Sequence, residues 1–121
     1  MSYIDYDVPD GLKKNVKEFL KKVADNGKLK KGMNESTKAI ERENAKLVVI
    51  AGDVDPPEIV FHMPLIAKEK NVPYTFLDTK DDLGEAVGLQ VSCSAIAVTR
   101  TPKGADGDLK KIVKQIDELK K

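Results

Sequence analysis

One cysteine, one histidine and no long apolar run set the first limits on this chain of 121 residues. Cys93 stands alone, so no intramolecular disulfide can form, as suits a reducing compartment. Cys93 and His62 together cannot complete a structural zinc site, and no metal is expected. No stretch approaches the roughly 20 apolar residues that a membrane-spanning helix needs. Met1–Asp5 has neither the basic nor the apolar region of a signal peptide, which predicts a cytoplasmic protein without membrane contact. Net charge is nearly absent too: 21 Lys and Arg face 20 Asp and Glu, leaving +1. Taken at face value, that balance speaks against a nucleic-acid ligand. Repeats, low-complexity tracts and internal linkers are missing, and the length suits one domain over residues 1–121. What is present, 40% apolar and 34% charged residues, belongs to a folded chain and not to a disordered one.

The neutrality conceals segregation. Residues 1–10 hold three acids and no base, whereas residues 11–48 hold eleven bases and five acids, a net of +6. Residues 49–92 hold three bases and eight acids, a net of −5, and residues 93–121 return to +3. Salt screens distant charges over about 8 Å, so a local excess can hold an anion on a nearly neutral molecule. The same lysines would equally serve as a solvated helix face.

Leu12, Val16, Phe19, Leu20 and Val23 recur at helical spacing between the start signals Pro9 and Asp10 and the stop Asn26-Gly27. Lys28–Gly32 reads as a short polar strand or turn, and Asn34 as the cap of a second helix carrying Ala39 and Ile40. Leu47–Ala51, Pro73–Leu77 and Ser94–Thr99 are apolar runs of the kind buried on both faces of a sheet. Pro57 suits the first turn of a helix with Ile59, Val60, Met63, Ile66 and Ala67, in which Pro64 should produce a kink. Asp78 and Thr79 offer caps to a short helix ending near Gly88, and the loop Leu89–Ser92 is unusually apolar. A turn from Pro102 to Asp108 leads to a last amphipathic helix carrying Leu109, Ile112, Val113, Ile116 and Leu119. Helices alternating with buried strands predict an α/β fold, a three-layer α/β/α sandwich around a mixed central sheet of about four strands.

Two constellations invite chemistry. Asp53 and Asp55 follow an apolar strand with Glu58 nearby, a placement from which carboxylates can hold magnesium for phosphoryl transfer. Against a magnesium-dependent phosphate-handling enzyme, two prolines follow at once, and no phosphate-binding loop or positioned lysine comes after them. His62 between Phe61 and Met63 suits a packed helix position, Cys93 a small hydrophobe, and Gly84 and Gly88 lack a dinucleotide-binding spacing. No catalytic residue and no cofactor follow from the sequence. The second constellation is Lys30–Lys38, with Arg42 one turn on. Gly32 allows close backbone approach, and the amides of a helix N-terminus attract phosphate. Asn34, Glu35 and Lys38 border one helix face and offer an amide, a carboxylate and an ammonium, a set able to read base edges. Equally, Asn34 can be only a cap and Glu35–Lys38 only a surface pair.

The run Lys31-Gly32-Met33-Asn34-Glu35-Ser36-Thr37-Lys38, with Glu41-Arg42 and Ala45–Val48, resembles the signature of the kink-turn-binding ribosomal protein family. The resemblance continues through Asp53–Val60, His62–Leu65, Glu69–Tyr74, Leu83-Gly84 and Ala86–Gly88, weakening only at the two ends of the chain. It is strongest toward archaeal large-subunit members that also nucleate box C/D and box H/ACA small RNPs. It implies a non-catalytic RNA-binding protein; the sequence leaves oligomeric state open, with a monomer when free as the default. The helix after Gly32 would dock at tandem sheared guanine–adenine pairs of a sharply bent RNA. Asn34, Glu35 and Lys38 would meet the bases, with Lys31, Gly32 and Arg42 along the backbone. Asp55, Ile59 and Lys80 would frame a flipped-out nucleotide, and Leu89, Gln90 and Val91 would cover the kink, which accounts for an apolar loop. The implied partners are kink-turns in rRNA, in box C/D and H/ACA guide RNAs and in RNase P RNA, together with the box C/D scaffold protein. Three departures stand out. Gly52 replaces a usual acid and is expected to loosen the loop before Asp55. Gln90 replaces a common acid and lowers repulsion toward phosphate. Ser92-Cys93-Ser94 alters the approach to the last strand.

Overall fold

Three runs without a charged side chain, Leu47–Ala51, Tyr74–Leu77 and Ala95–Val98, form the buried heart of a four-stranded sheet. The computed structural model describes residues 6, 8–54 and 60–119. Its elements are α1 (Asp10–Asn26), β1 (Lys28–Lys31), α2 (Met33–Glu41), β2 (Leu47–Ala51) and α3 (His62–Glu69). There follow β3 (Tyr74–Leu77), α4 (Lys80–Ala86), β4 (Ala95–Arg100) and α5 (Asp106–Leu119). The strand order is β1-β4-β2-β3. β4 is antiparallel to both its neighbours, while β2 and β3 run parallel, so the sheet is mixed as expected. It follows that β1, β2 and β3 all finish at the end of the sheet where β4 begins. α1 packs with α4 and α5, α2 packs with α3, and the sheet lies between the two helical layers.

The core follows from the helical periodicity. Val16, Phe19, Leu20 and Val23 of α1, Ile40 of α2 and Ile116 of α5 are all at least 98% buried against the strands and each other. Burying a large side chain of this kind contributes roughly 1.5–3 kcal/mol each, which is what gives short helices such as α2 their stability. Tyr6 closes the edge of the sheet: its hydroxyl donates to the Tyr74 carbonyl, and its ring meets Tyr74 and Phe76 edge-on at 5.9 and 5.6 Å. One buried polar group breaks the pattern, since the Thr75 hydroxyl has no hydrogen-bond partner among the described residues.

Three local expectations are corrected. Gly32, at φ 93° and ψ 159°, is the residue that turns the chain into α2, so Asn34 lies inside the first turn and is not its cap. The reversal right after β1 demands the left-handed backbone that only glycine adopts cheaply. Pro64 sits in the first turn of α3, where a backbone N–H has no partner within the helix, so it removes no helical bond and forces no kink. Finally, α5 begins at Asp106 and takes in Gly107 and Asp108, because two carboxylates in a first turn favour the positive end of the helix. The start of the helix predicted after Pro57 lies outside the described residues.

Charge segregation takes on a different meaning in three dimensions. Much of the basic excess of α1 is spent within the protein: Lys13 reaches Asp78 at 2.6 Å, Lys17 reaches Asp82 at 3.8 Å and Lys22 reaches Asp108 at 2.7 Å. The hydrogen bond to Lys22 holds the Asp108 carboxyl below its ordinary value and raises the Lys22 ammonium above its own. On β1 and at the end of α2, Lys28, Lys30, Lys31 and Arg42 are exposed and form no ion pair among the described residues.

Candidate nucleic-acid interface

The end of the sheet where β4 begins gathers the predicted residues from four separate segments. β1 delivers Lys31 to this end, paired in register with Ile96. The Gly32 N–H then donates to the Ala95 carbonyl at 2.8 Å, fixing where α2 starts. A side chain at Gly32 would meet nothing within 4 Å, so the backbone conformation, and not crowding, calls for glycine, and the surface above it is open. Asn34 and Glu35 project from the first turn of α2 and are exposed, with Lys38 following. Glu35 and Lys38 form a loose pair at 3.7 Å with more than half of each side chain in solvent, so both stay available to a ligand.

The second segment is the loop after β2. The Gly52 N–H donates to the Leu77 carbonyl at 2.7 Å and the Asp53 carboxylate accepts from the Lys80 N–H at 2.8 Å. The Gly52 backbone is thus tied to the sheet. Asp53 caps α4, together with Thr79, whose hydroxyl accepts from the Asp82 N–H at 3.0 Å. This bond gives the Asp53 carboxylate a structural role at the start of α4 through one of its two oxygens. Among the described residues no group of three or more His, Cys, Asp or Glu could hold a metal ion. Asp55 and Ile59, the other two residues assigned to the flipped nucleotide, lie outside the described residues.

The third and fourth segments meet each other. Lys80 opens α4 half-buried, and its carbonyl accepts from the Cys93 N–H at 3.1 Å, so the covering loop is anchored where α4 begins. Leu89 tucks against the core, with its N–H on the Gly84 carbonyl at 2.9 Å, whereas Gln90 is exposed and Val91 is 69% exposed. The apolar loop therefore divides its labour: Leu89 anchors it and Val91 is presented outward. Among the described residues, Val91 and Leu65 of α3 are the large apolar side chains most open to solvent. Gly84 makes this seating possible, because a Cβ there would lie 2.2 Å from the Val91 carbonyl oxygen.

Lys31, Gly32, Asn34, Glu35, Lys80, Leu89, Gln90 and Val91 are thus brought to one end of the molecule. Arg42 is not: it ends α2, about 15 Å along the axis from Gly32, on the face of Lys38 one turn further on. Gly84 and Asp53 shape the site without having been singled out for it. The signal for Gly84 was a glycine inside a helical stretch, which costs about 1 kcal/mol against alanine and so asks for a packing reason.

Residues 14–106 match the profile of the Ribosomal protein L7Ae/L30e/S12e/Gadd45 family. Among solved structures the chain is similar to the Giardia lamblia 15.5kD RNA binding protein, with a TM-score of 0.90, 31% sequence identity and 97% of each chain covered. With the profile spanning most of the chain, this protein belongs to the L7Ae/L30e/S12e/Gadd45 family.

Proposed function

We propose that the protein is a non-catalytic RNA-binding protein that recognises and stabilises kink-turns. The observation that carries this reading is the convergence of exposed Asn34, Glu35 and Lys38 with the outward-facing Val91 at one end of the sheet. An amide, a carboxylate and an ammonium on a helix start can read the edges of sheared guanine–adenine pairs, where phosphate binding alone would need only cations. An apolar side chain on a loop at the same end of the sheet suits an unstacked base, which A-form duplex does not offer. A similar structure is that of an RNA-binding protein, which supports the same class of ligand. The mechanism is population shift: RNA that samples straight and bent forms is held in the bent one, because only that form meets all four segments. In the cytoplasm the RNA partners would be kink-turns of rRNA, of box C/D and H/ACA guide RNAs and of RNase P RNA. The bound complex would then receive the box C/D scaffold protein.

The test is a calorimetric or gel-shift titration with a kink-turn RNA, set against the same RNA with its guanine–adenine pairs made Watson–Crick. Tight binding to the first and weak binding to the second is expected. Equal binding to both, or none, sinks the proposal.

A further inference from the structure

His62 lies on α3, outside every segment assigned to RNA, yet its side chain reaches the helix that would dock there. Its Nε2 lies 3.0 Å from the Thr37 hydroxyl oxygen, and that hydroxyl lies 2.8 Å from the Met33 carbonyl, one turn back in α2. The direction of this chain is fixed by counting hydrogens. A carbonyl can only accept, so the single hydroxyl hydrogen of Thr37 goes to Met33. Thr37 must then accept from His62, and Nε2 carries the proton. Both side chains are half-buried, where such a pair is not freely exchanged for water.

We propose that His62 is a positioning residue for α2, acting through Thr37, a role that rests on the RNA-binding reading above. A threonine in a helix divides between two rotamers, only one of which bonds back to the preceding turn. The His62 donor selects one of them by occupying the hydroxyl lone pair that faces α3. The Met33 carbonyl is thereby gripped by the Thr37 hydroxyl in addition to the helix's own bond. Met33 belongs to the turn that carries Asn34 and Glu35, and Thr37 directly precedes Lys38. The start of α2 has no side-chain cap among the described residues, because glycine supplies the turn. A frayed start would cost the base-reading set its geometry, and the His62–Thr37 chain, although it satisfies none of the N–H groups a cap would, holds that turn by its Met33 carbonyl. It also ties α2 to α3, so the docking turn is braced from the layer behind it.

The experiment uses the full chain with His62→Leu, His62→Gln, Thr37→Val and the His62→Leu/Thr37→Val double variant. Affinity is measured for the kink-turn RNA and its Watson–Crick control. His62→Leu should weaken kink-turn binding by about three- to tenfold, the range set by one lost hydrogen bond. The double variant should be little worse than either single one, because the two act as one chain. The amide nitrogen of His62→Gln can donate from near the position of Nε2, and it should restore most of the affinity. Additive losses, or a Gln variant as weak as the Leu variant, would overturn the proposal. In the free protein, long-range proton–nitrogen spectra should place the imidazole proton on Nε2, and a proton found only on Nδ1 also overturns it. If the wild-type chain fails to tell the two RNAs apart, the functional reading fails. Discrimination that survives His62→Leu unchanged removes the role of His62 alone.

Discussion

Replacing Gly84 with alanine sets two effects of known sign against each other. In an ordinary helix the change would stabilise the protein by about 1 kcal/mol, the difference in propensity between the two residues. Here the new Cβ would stand 2.2 Å from the Val91 carbonyl oxygen and 3.3 Å from Ser92 Cα. Both are backbone atoms, so no side-chain rotation relieves the contact. Reaching an acceptable separation requires the covering loop to move by about 1 Å, and overpacking of this kind costs roughly 1–3 kcal/mol. The net expectation is a loss of about 0–2 kcal/mol, read from the midpoint of denaturant unfolding. Binding should suffer more than folding. The displaced segment carries Val91, and burying a valine side chain is worth up to about 1.5–3 kcal/mol, or roughly ten- to 150-fold in Kd. Backbone amide spectra should show shifts clustered at 84–93, with the Asn34–Lys38 turn left in place. A Gly84→Ala variant that is more stable by the full helical propensity, with unshifted loop resonances and unchanged RNA affinity, would refute the reasoning.

Gly32→Ala forces an L side chain to φ 93° and should cost about 1–2 kcal/mol of stability, with weaker RNA binding, checked by thermal melts and titration. Glu35→Ala should cost about 1–3 kcal/mol of kink-turn binding and erase the preference over the Watson–Crick control, while Lys111→Ala on exposed α5 should do little. A comparable loss at Lys111 would mean that generic charge carries the affinity. Thr75→Val removes a buried hydroxyl that has no partner among the described residues and should raise stability by about 1 kcal/mol in urea unfolding. The Asp108 carboxyl, held down by the Lys22 hydrogen bond, contributes stability above its unfolded value that disappears as pH falls through the lower folded value. Carboxyl-detected titration should show that low midpoint rising toward the ordinary range in Lys22→Gln.

The parts legible in the sequence were those written in a repeating pattern. The helical spacing of α1 and the uncharged runs of β2, β3 and β4 pointed to the sandwich, since burial dictates both period and composition. Asn34, Glu35 and Lys38 were legible as one helix face for the same reason. What could not be seen depends on contacts between distant segments. The structural role of Asp53 shows only when the Lys80 N–H is found on its carboxylate, and Gly84 has no visible purpose until the Val91 carbonyl is laid over it. Asn34 reads as a cap because an asparagine shortly before an apolar-periodic run satisfies the usual pattern, while the φ that assigns the turn to Gly32 exists only in the folded backbone. The charge sum misled in a similar way. The +6 segment contains both the α1 lysines that hold Asp78, Asp82 and Asp108 and the lysines of β1 and α2 that remain exposed.

The meeting of four chain segments at one end of the sheet also makes occupancy a gauge of the whole fold. Between Lys31 and Val91 the polypeptide reaches that end with β1, leaves it, comes back with β2 and again with β3, and returns a last time with the loop that leads into β4. No single stretch holds the surface, so releasing any strand dismantles it. RNA bound only by the native arrangement would then stabilise every element at once, by about 2.7 kcal/mol at a concentration one hundred times Kd. Amides deep in α1, far from any nucleotide, should exchange more slowly in the complex, and the slowing should grow with RNA concentration.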